Sequence, residues 1–217
     1  MKHPSTIAIF NEWQRLAFNA GQGGFAVPAR ASIEPRKLGR HLADLFIVES
    51  VTDSAGTTFR IAGTRICTLY GRELRASPLS SLWPDRDRPA LNEMIDTVNR
   101  LGIPALSMHQ GITVSSRCVS LELLLAPLTK NDGQICLLGC LVALDQQAGA
   151  AFDPVVVNHL QAIEPLAPDL LLNPAKPVKA VPSVKFTRRA PRQNTATALA
   201  REPVERPRLR IITGGKA

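Results

Sequence analysis

The beginning of the chain places apolar side chains at helical spacing. Ser5 or Thr6 is predicted to cap this helix. Its apolar stripe consists of Phe10, Trp13 and Ala17. The glycine cluster at residues 21–24 then ends the helix. This cluster lacks the Lys-Ser/Thr ending of a nucleotide-binding loop and follows a helix rather than a strand, so we interpret it as a turn.

A second helical pattern and a pair of strands follow. Residues 27–35 are predicted to be extended because prolines disfavour helix in the residues before them. Pro35 then suits the first turn of a short helix, whose buried side would be formed by Leu38, Leu42 and Leu45. Residues 46–51 and 57–62 indicate two antiparallel strands joined by a turn at 52–56.

The second of these strands runs into a corner. Phe59 and Ile61 are predicted to share one face of the strand. At Gly63 the period becomes helical, and Gly71 ends a short helix with buried positions at Ile66, Leu69 and Tyr70. A strand that turns abruptly into a short helix is typical of the wall of a ligand-sensing pocket.

The long helix of the domain comes after an irregular segment at residues 75–83. That segment is expected to fold back onto the core through Leu79, Leu82 and Trp83. Asp87 marks the start of the helix, where its charge complements the helix dipole, and Gly102 marks its end. The apolar stripe between them consists of Leu91, Met94, Ile95, Val98 and Leu101.

Three further strands are predicted at residues 104–114, 118–125 and 134–144. In the second of them Ser120 and Glu122 are expected to face solvent. The third is almost continuously apolar, which indicates a central strand covered on both faces or a strand in a dimer interface. A closing helix is then predicted to begin at Asp153-Pro154 and to bury Val156, Leu160 and Ile163.

The order of these elements predicts an α+β fold. Two hairpin strands, a helical crossover and a three-strand meander give a five-stranded antiparallel sheet with helices on one face, and the first helix is extra to this plan. Three parts follow along the chain: an N-terminal amphipathic helix at 1–24, a folded domain with its closing helix at 25–172, and a disordered, basic, proline-rich tail at 173–217.

This order and a series of short motifs resemble a bacterial family of single-domain PAS-like sensory and regulatory proteins, over roughly residues 8–170. The motifs begin with Trp13 and with Pro28-x-Arg30-x-x-Ile33-x-Pro35. They continue with Arg60-x-Ala62-Gly63-Thr64, Gly71-Arg72-Glu73-Leu74, Leu82-Trp83 and the strand end Leu123-Leu124-Leu125-Ala126-Pro127-Leu128.

The resemblance implies regulation by binding. PAS-like domains hold a small ligand or cofactor between the sheet and the helices, or they act as protein-interaction and dimerisation modules. In the second role a helix outside the core packs on the sheet or on a second subunit, and here the first helix, with Phe10 and Trp13, is the candidate. We therefore expect a homodimer with a signalling protein as partner.

The cofactor is left open by the sequence. No cysteine occurs in the Asn-Cys-Arg context of the flavin photosensors. His41 and His109 are the only histidines near the expected pocket, and a role as a surface residue or a hydrogen-bonded core residue is favoured over haem ligation.

The residues predicted to contact a ligand surround the strand-to-helix corner and the long helix. They are Arg60, Arg65, Tyr70, Trp83, Met94 and His109. Trp83 either lines a pocket or anchors the core, with anchoring favoured. Arg60 and Arg65, together with Arg72 and Glu73, either bind an anion or pair with each other, with internal pairing favoured.

Catalytic and metal-binding patterns give little support to an enzyme. The sequence has no G-x-S-x-G elbow, no H-E-x-x-H and no carboxylate pair with contrasting environments, so we expect a non-catalytic protein. Cys67, Cys118, Cys136 and Cys140 form no C-x-x-C motif. Cys136 and Cys140 would share a strand face, which leaves a metal or disulfide role open, but buried thiols are favoured.

The net charge of +8 comes from the tail. From residue 173 onward there are 11 basic and 2 acidic residues, a net charge of +9, whereas the rest has 15 basic and 16 acidic residues, a net charge of −1. The folded part is therefore not expected to bind nucleic acid. As an alternative function, the tail binds nucleic acid through Arg188, Arg189, Arg208 and Arg210.

Against that alternative, Phe186 is the one aromatic residue of the tail, so bases have no stacking platform. A tail that solubilises the protein or docks a partner is the other interpretation. Its β-prone segment at 209–213 could add to the edge of a sheet.

The sequence also indicates where the protein resides. No stretch approaches the ~20 apolar residues of a membrane span, and the N-terminus lacks a secretory pattern. We expect a cytoplasmic protein that does not associate with membranes.

Overall fold

The computed structural model describes residues 1–21, 24–50, 56–145, 153–166 and 184–185. The helices are α1 (Pro4–Ala20), α2 (Pro35–Leu38), α3 (Thr64–Leu69) and α4 (Arg88–Leu101). Short 3₁₀ helices occur at Arg30–Ser32, Gly39–Asp44 and Leu79–Leu82. The strands are β1 (Leu45–Ser50), β2 (Thr57–Ala62), β3 (Ala105–Thr113), β4 (Cys118–Thr129), β5 (Ile135–Ala143), β6 (Val155–Pro165) and the two-residue β7 (Val184–Lys185).

One antiparallel sheet forms the centre of the fold, with the strand order β2-β1-β5-β4-β3-β6-β7. The α+β prediction is confirmed, but the sheet has six long strands rather than five. Residues 52–55 of the predicted turn and most of the tail lie outside the described residues. None of the helices in the described ranges is long and apolar enough to cross a membrane.

The prediction of a closing helix is wrong, because this segment forms the sixth long strand, β6. β6 pairs with β3 along its whole length and has two register shifts, which leave Val156 and Gln161 as extra residues. Each bulge interrupts the period of two, so Leu160 and Ile163 fall at a spacing that imitates a helix. The β-branched run at residues 155–157 favours a strand, and β3 supplies the partner.

Both faces of the sheet are covered, not one. On the first face, α3, α4 and the 3₁₀ turn at Leu79–Leu82 enclose a core that includes Phe46, Phe59, Trp83 and Leu91. On the second face, α1 packs its apolar side against the sheet, in a cluster that contains Phe10, Trp13, Leu124 and Leu138. The N-terminal helix therefore packs on its own sheet, and β5 is a central strand covered on both sides.

The start of α1 is fixed by polar contacts that the sequence pattern did not predict. His3 caps the helix, not Ser5 or Thr6, because its imidazole accepts a hydrogen bond from the Ser5 backbone N–H at 3.1 Å. Ser5 instead lies within the helix and donates from Oγ to Asp44 at 2.6 Å. Both Ser5 and Thr6 are buried.

Glu122 faces α1 rather than solvent, so the predicted orientation is wrong. The side chain is 0% exposed, and its carboxylate accepts hydrogen bonds from the backbone N–H groups of Lys2 at 2.7 Å and His3 at 3.2 Å. A buried carboxylate is tolerated there because these donors, at the positive end of a helix, replace its hydration.

A bulge in β2 separates two residues that were predicted to share a face. Val48 pairs with Phe59 and Ile47 with Ile61, so Arg60 is an extra residue between them. Adjacent residues of β1 point to opposite faces, and their partners therefore do the same. Phe59 enters the first core, whereas Ile61 lies on the α1 side of the sheet and is 47% exposed.

Smaller differences concern the helices. α2 ends at Leu38, so Leu42 lies in a 3₁₀ turn and is partly exposed, and Leu45 begins β1. Leu101, the last residue of α4, is exposed because the stripe has turned away from the core there. The segment predicted as irregular contains the 3₁₀ turn Leu79–Leu82, whose two leucines are buried.

Candidate functional site

Four of the predicted ligand contacts are residues of the first core. Tyr70, Trp83, Met94 and His109 are each at most 6% exposed. Phe46 and Phe59 pack in the same core, with their rings edge to face at a centroid distance of 5.3 Å. Large side chains therefore fill the region between the sheet and α3 and α4 where a ligand pocket was expected.

Trp83, His109 and Ser107 form a buried hydrogen-bonded chain. Trp83 donates from Nε1 to Nδ1 of His109 at 3.0 Å, and Nε2 of His109 lies 2.8 Å from Ser107 Oγ. Since the indole can only donate, Nδ1 must be unprotonated, and the network assigns the proton to Nε2. Burial lowers the pKa of His109 to about 3, so the ring is neutral near neutral pH.

A second buried polar pair joins Tyr70 to β6. Asn158 donates from Nδ2 to the Tyr70 hydroxyl at 2.7 Å, and burial raises the pKa of Tyr70. Oδ1 of Asn158 is buried without a hydrogen-bond partner among the described residues. Asn158 was not predicted as a core polar residue, because the segment was expected to be helical.

The two predicted arginines lie outside this core. Arg65 donates to Asp44 at 2.6 Å, and this carboxylate also accepts the Ser5 hydroxyl. Arg60 lies 3.6 Å from Glu49, whose carboxylate accepts a hydrogen bond from Arg30 at 2.7 Å. The six predicted residues therefore do not form one site.

An apolar groove on the opposite face of the sheet is the better candidate. It lies between α2, with its adjoining turns, and the strands β1, β2 and β5, and its volume is about 340 Å³. We call it the α2 groove; its lining residues are Arg30, Ile33, Pro35, Leu38, Leu42, Leu45, Ile47, Ile61 and Leu138. The motif Pro28-x-Arg30-x-x-Ile33-x-Pro35 was the sequence signal for this site, but the pattern alone did not show which strands it faces.

Arg30 also borders a second concavity, of about 430 Å³, which we call the polar pocket. Its other lining residues are Ala31, Lys130, Asn131 and Asp132. The backbone fixes Arg30 between the two concavities, because Ala29 forms a bridge with Thr129 at the end of β4 and the Thr129 N–H donates to Pro28 at 2.9 Å.

A third concavity, of about 270 Å³, lies between α4 and the end of β6. Its walls include Met94, Val98, Leu101 and Ile163. Met94 is the one predicted ligand contact that borders any of these three concavities.

The histidines do not fit the role of a haem ligand. Both ring nitrogens of His109 already have partners inside the core, and Nδ1 of His41 lies 2.9 Å from Ser5 Oγ at the start of α1. Within the described residues, no three of the His, Cys, Asp and Glu side chains form a group that could hold a metal ion. Cys136 and Cys140 are buried thiols, as favoured, whereas Cys67 is half-buried and Cys118, which begins β4, is exposed.

The predicted interaction residues divide into two groups. Phe10 and Trp13 are buried against their own sheet, and the Trp13 indole donates to the Pro127 carbonyl at 2.7 Å, so neither ring is available to a partner while α1 stays in place. Arg188, Arg189, Arg208 and Arg210 lie outside the described residues.

The antiparallel sheet and its helical crossover define a small α+β domain. The profile of the PAS domain family matches residues 1–142. The chain belongs to the PAS domain family, which confirms the resemblance found in the sequence.

Solved structures to which the chain is similar include PAS and light-oxygen-voltage domains, all at 15% identity. A light-oxygen-voltage domain studied with a flavin analogue has a TM-score of 0.41, with 54% of this chain and 88% of that chain covered. The PAS domain of a protein from Colwellia psychrerythraea has a TM-score of 0.38, with coverage of 52% and 100%. An RNA-binding light-oxygen-voltage receptor has a TM-score of 0.39, with coverage of 56% and 36%. No curated protein matches the chain.

Proposed function

We propose that the chain is a non-catalytic PAS regulatory module that binds a small ligand in the α2 groove and passes the signal to a partner protein through α1. The α2 groove is the observation that carries this proposal. Its volume of about 340 Å³ lies in the range of small-molecule sites, and eight of its nine lining residues are apolar.

The packing of the first core supports a surface site over an interior one. A ligand between the sheet and α4 would have to displace buried aromatic side chains and leave the Trp83 N–H or the His109 acceptor without a partner. Each buried polar group left unpaired costs about 1–3 kcal/mol. A ligand in the α2 groove requires neither change.

The position of the groove supports a role for α1 in the output. Leu38, Leu45, Ile47 and Leu138 line the groove and also belong to the cluster that holds α1 on the sheet. A ligand that packs against these residues therefore contacts the layer on which Phe10 and Trp13 rest. A ligand that binds when α1 is packed on the sheet stabilises this docked position of the helix relative to a released one.

Hydrogen exchange of the α1 amides, measured by mass spectrometry with and without decanol as an apolar probe, tests this proposal. We expect decanol to slow exchange across Pro4–Ala20. The variant Ile61→Trp places a large ring in the groove at a position that is 47% exposed, and it should abolish the effect. Val114→Trp, at a 63% exposed position outside the groove, is the matched control and should retain it. Equal protection in both variants would contradict the proposal.

A further inference from the structure

Resting on the proposed function, we propose that the ligand of the α2 groove is an amphipathic carboxylate: an apolar body in the groove with its carboxylate at Arg30. The juxtaposition that carries this inference is an apolar concavity with a single charged residue in its lining, and that residue is an arginine shared with the polar pocket.

The apolar half of the site is partly open to solvent. Ile61 is 47% and Leu42 is 37% exposed, and both line the groove. The β2 bulge at Arg60 turns Ile61 to this face of the sheet. Clustered exposed apolar side chains in a groove mark a binding surface, since single ones are normal on a protein surface but groups are not.

The charged half has an excess of positive charge. Arg30 and Arg60 lie at 2.7 and 3.6 Å from the same carboxylate, that of Glu49, so two guanidinium groups share one negative charge. Arg36 and Arg40 add exposed positive charge on the neighbouring segment. A ligand carboxylate beside Arg30 would complete the charge balance, and an arginine can bind carboxylates through several N–H donors at once.

The polar pocket explains why the head group belongs at Arg30 rather than at the far end of the groove. Lys130 and Asn131 offer hydrogen-bond donors there, and Lys130 already pairs with Asp132 at 3.4 Å. Arg30 therefore stands at the boundary between an apolar and a polar concavity. A molecule with one apolar end and one anionic end matches that order.

Three probes of equal chain length, decanoate, decanol and decyltrimethylammonium, test this inference by isothermal titration calorimetry with the full-length protein. We expect decanoate to bind more than about tenfold more tightly than decanol, which corresponds to one favourable charge contact. Added salt should weaken the binding of decanoate and leave that of decanol unchanged.

Arg30→Gln should lower the affinity for decanoate to that for decanol without changing the latter, and Arg30→Lys should be intermediate. Arg72→Gln, an exposed arginine outside the groove, should have no effect. Circular dichroism verifies that each variant is folded.

Two outcomes would contradict the inference in different ways. If decanol or the cation binds as tightly as decanoate, and Ile61→Trp blocks this binding, the carboxylate assignment is overturned while the proposed function stands. If none of the probes binds, or Ile61→Trp leaves binding unchanged, both are overturned.

Discussion

His109 holds Trp83 in the first core through a hydrogen bond that requires a neutral imidazole. Trp83 is 1% exposed, and its ring lies edge to face with the imidazole at a centroid distance of 5.2 Å. The interpretation of Trp83 as an anchor is therefore supported by its contacts. Ser107 completes the arrangement on the other ring nitrogen. These hydrogen bonds give the tryptophan directional contacts within an otherwise apolar core.

The neutral state of His109 predicts a pH dependence of stability. Its pKa is lowered from 6.5 to about 3 in the folded protein, so between these values the unfolded chain binds a proton that the folded one does not. The contribution of His109 is complete above pH 6.5 and is lost as the pH falls toward 3, at a rate of up to about 1.4 kcal/mol per pH unit.

The variant His109→Asn tests this effect, because an Asn oxygen can replace Nδ1 as acceptor for Trp83 but does not titrate. We expect the free energy of unfolding in urea to fall less steeply with acidification, from about pH 7 to about pH 5, in the variant than in the parent protein. Parallel pH profiles for the two proteins would show that His109 is protonated in the folded core.

At the scale of elements, the pairing of β1 with β5 depends on a residue without a side chain. Phe46 lies opposite Gly139, and a Cβ at this glycine would overlap the Phe46 ring. The aromatic ring thus covers the backbone of β5, next to Val48 and Leu137 in the same core. This contact explains a glycine within a strand that is otherwise apolar, where a glycine would ordinarily weaken the sheet.

We predict that Gly139→Ala lowers the free energy of unfolding by about 1–3 kcal/mol or more, because the core is already filled. Phe46→Leu should relieve the overlap, so in the double variant the two effects should combine to less than their sum, with a coupling of at least about 0.5 kcal/mol in a urea-denaturation cycle. Gly24→Ala, where the added Cβ would have its nearest neighbour at 3.6 Å, is the control and should change stability little. Additive effects in the cycle would exclude the Phe46 contact as the cause.

The β-bulges in β2 and β6 explain where prediction from the sequence pattern failed. α1, α4 and β1 to β5 were each predicted from the sequence, and the structure contains them. β6 carries two bulges and pairs with β3, which is distant in sequence, so its local pattern indicated a helix. The same cause separates Phe59 from Ile61 in β2, since one extra residue reverses the face of every position beyond it.

For the molecule as a whole, the fold class followed from the order of elements, whereas the candidate site did not. Tyr70 and Trp83 have the residue types of a binding site, but their polar groups are hydrogen-bonded within the core to Asn158 of β6 and His109 of β3, which are distant in the sequence. Arg30 was noted as part of a motif, yet its place between two concavities depends on the contact of residues 28–29 with Thr129. Such long-range contacts have no local signature in the sequence.

The net charge of the molecule is divided between a body of −1 and a tail of +9, and the predicted nucleic-acid binding depends on the positive charge of the tail. If the tail binds duplex DNA, the logarithm of the binding constant should fall steeply with the logarithm of salt concentration, by about 0.9 for each phosphate contact. Replacing Arg188, Arg189, Arg208 and Arg210 by Gln in the full-length protein should then reduce the slope by up to about 3–4 units, measured by fluorescence anisotropy.

The matched control replaces four exposed arginines of the body, Arg36, Arg40, Arg72 and Arg75, and should leave the slope unchanged. A slope that falls equally in both variants would attribute the effect to net charge. Salt-insensitive or absent binding would leave solubilisation or partner docking as the function of the tail.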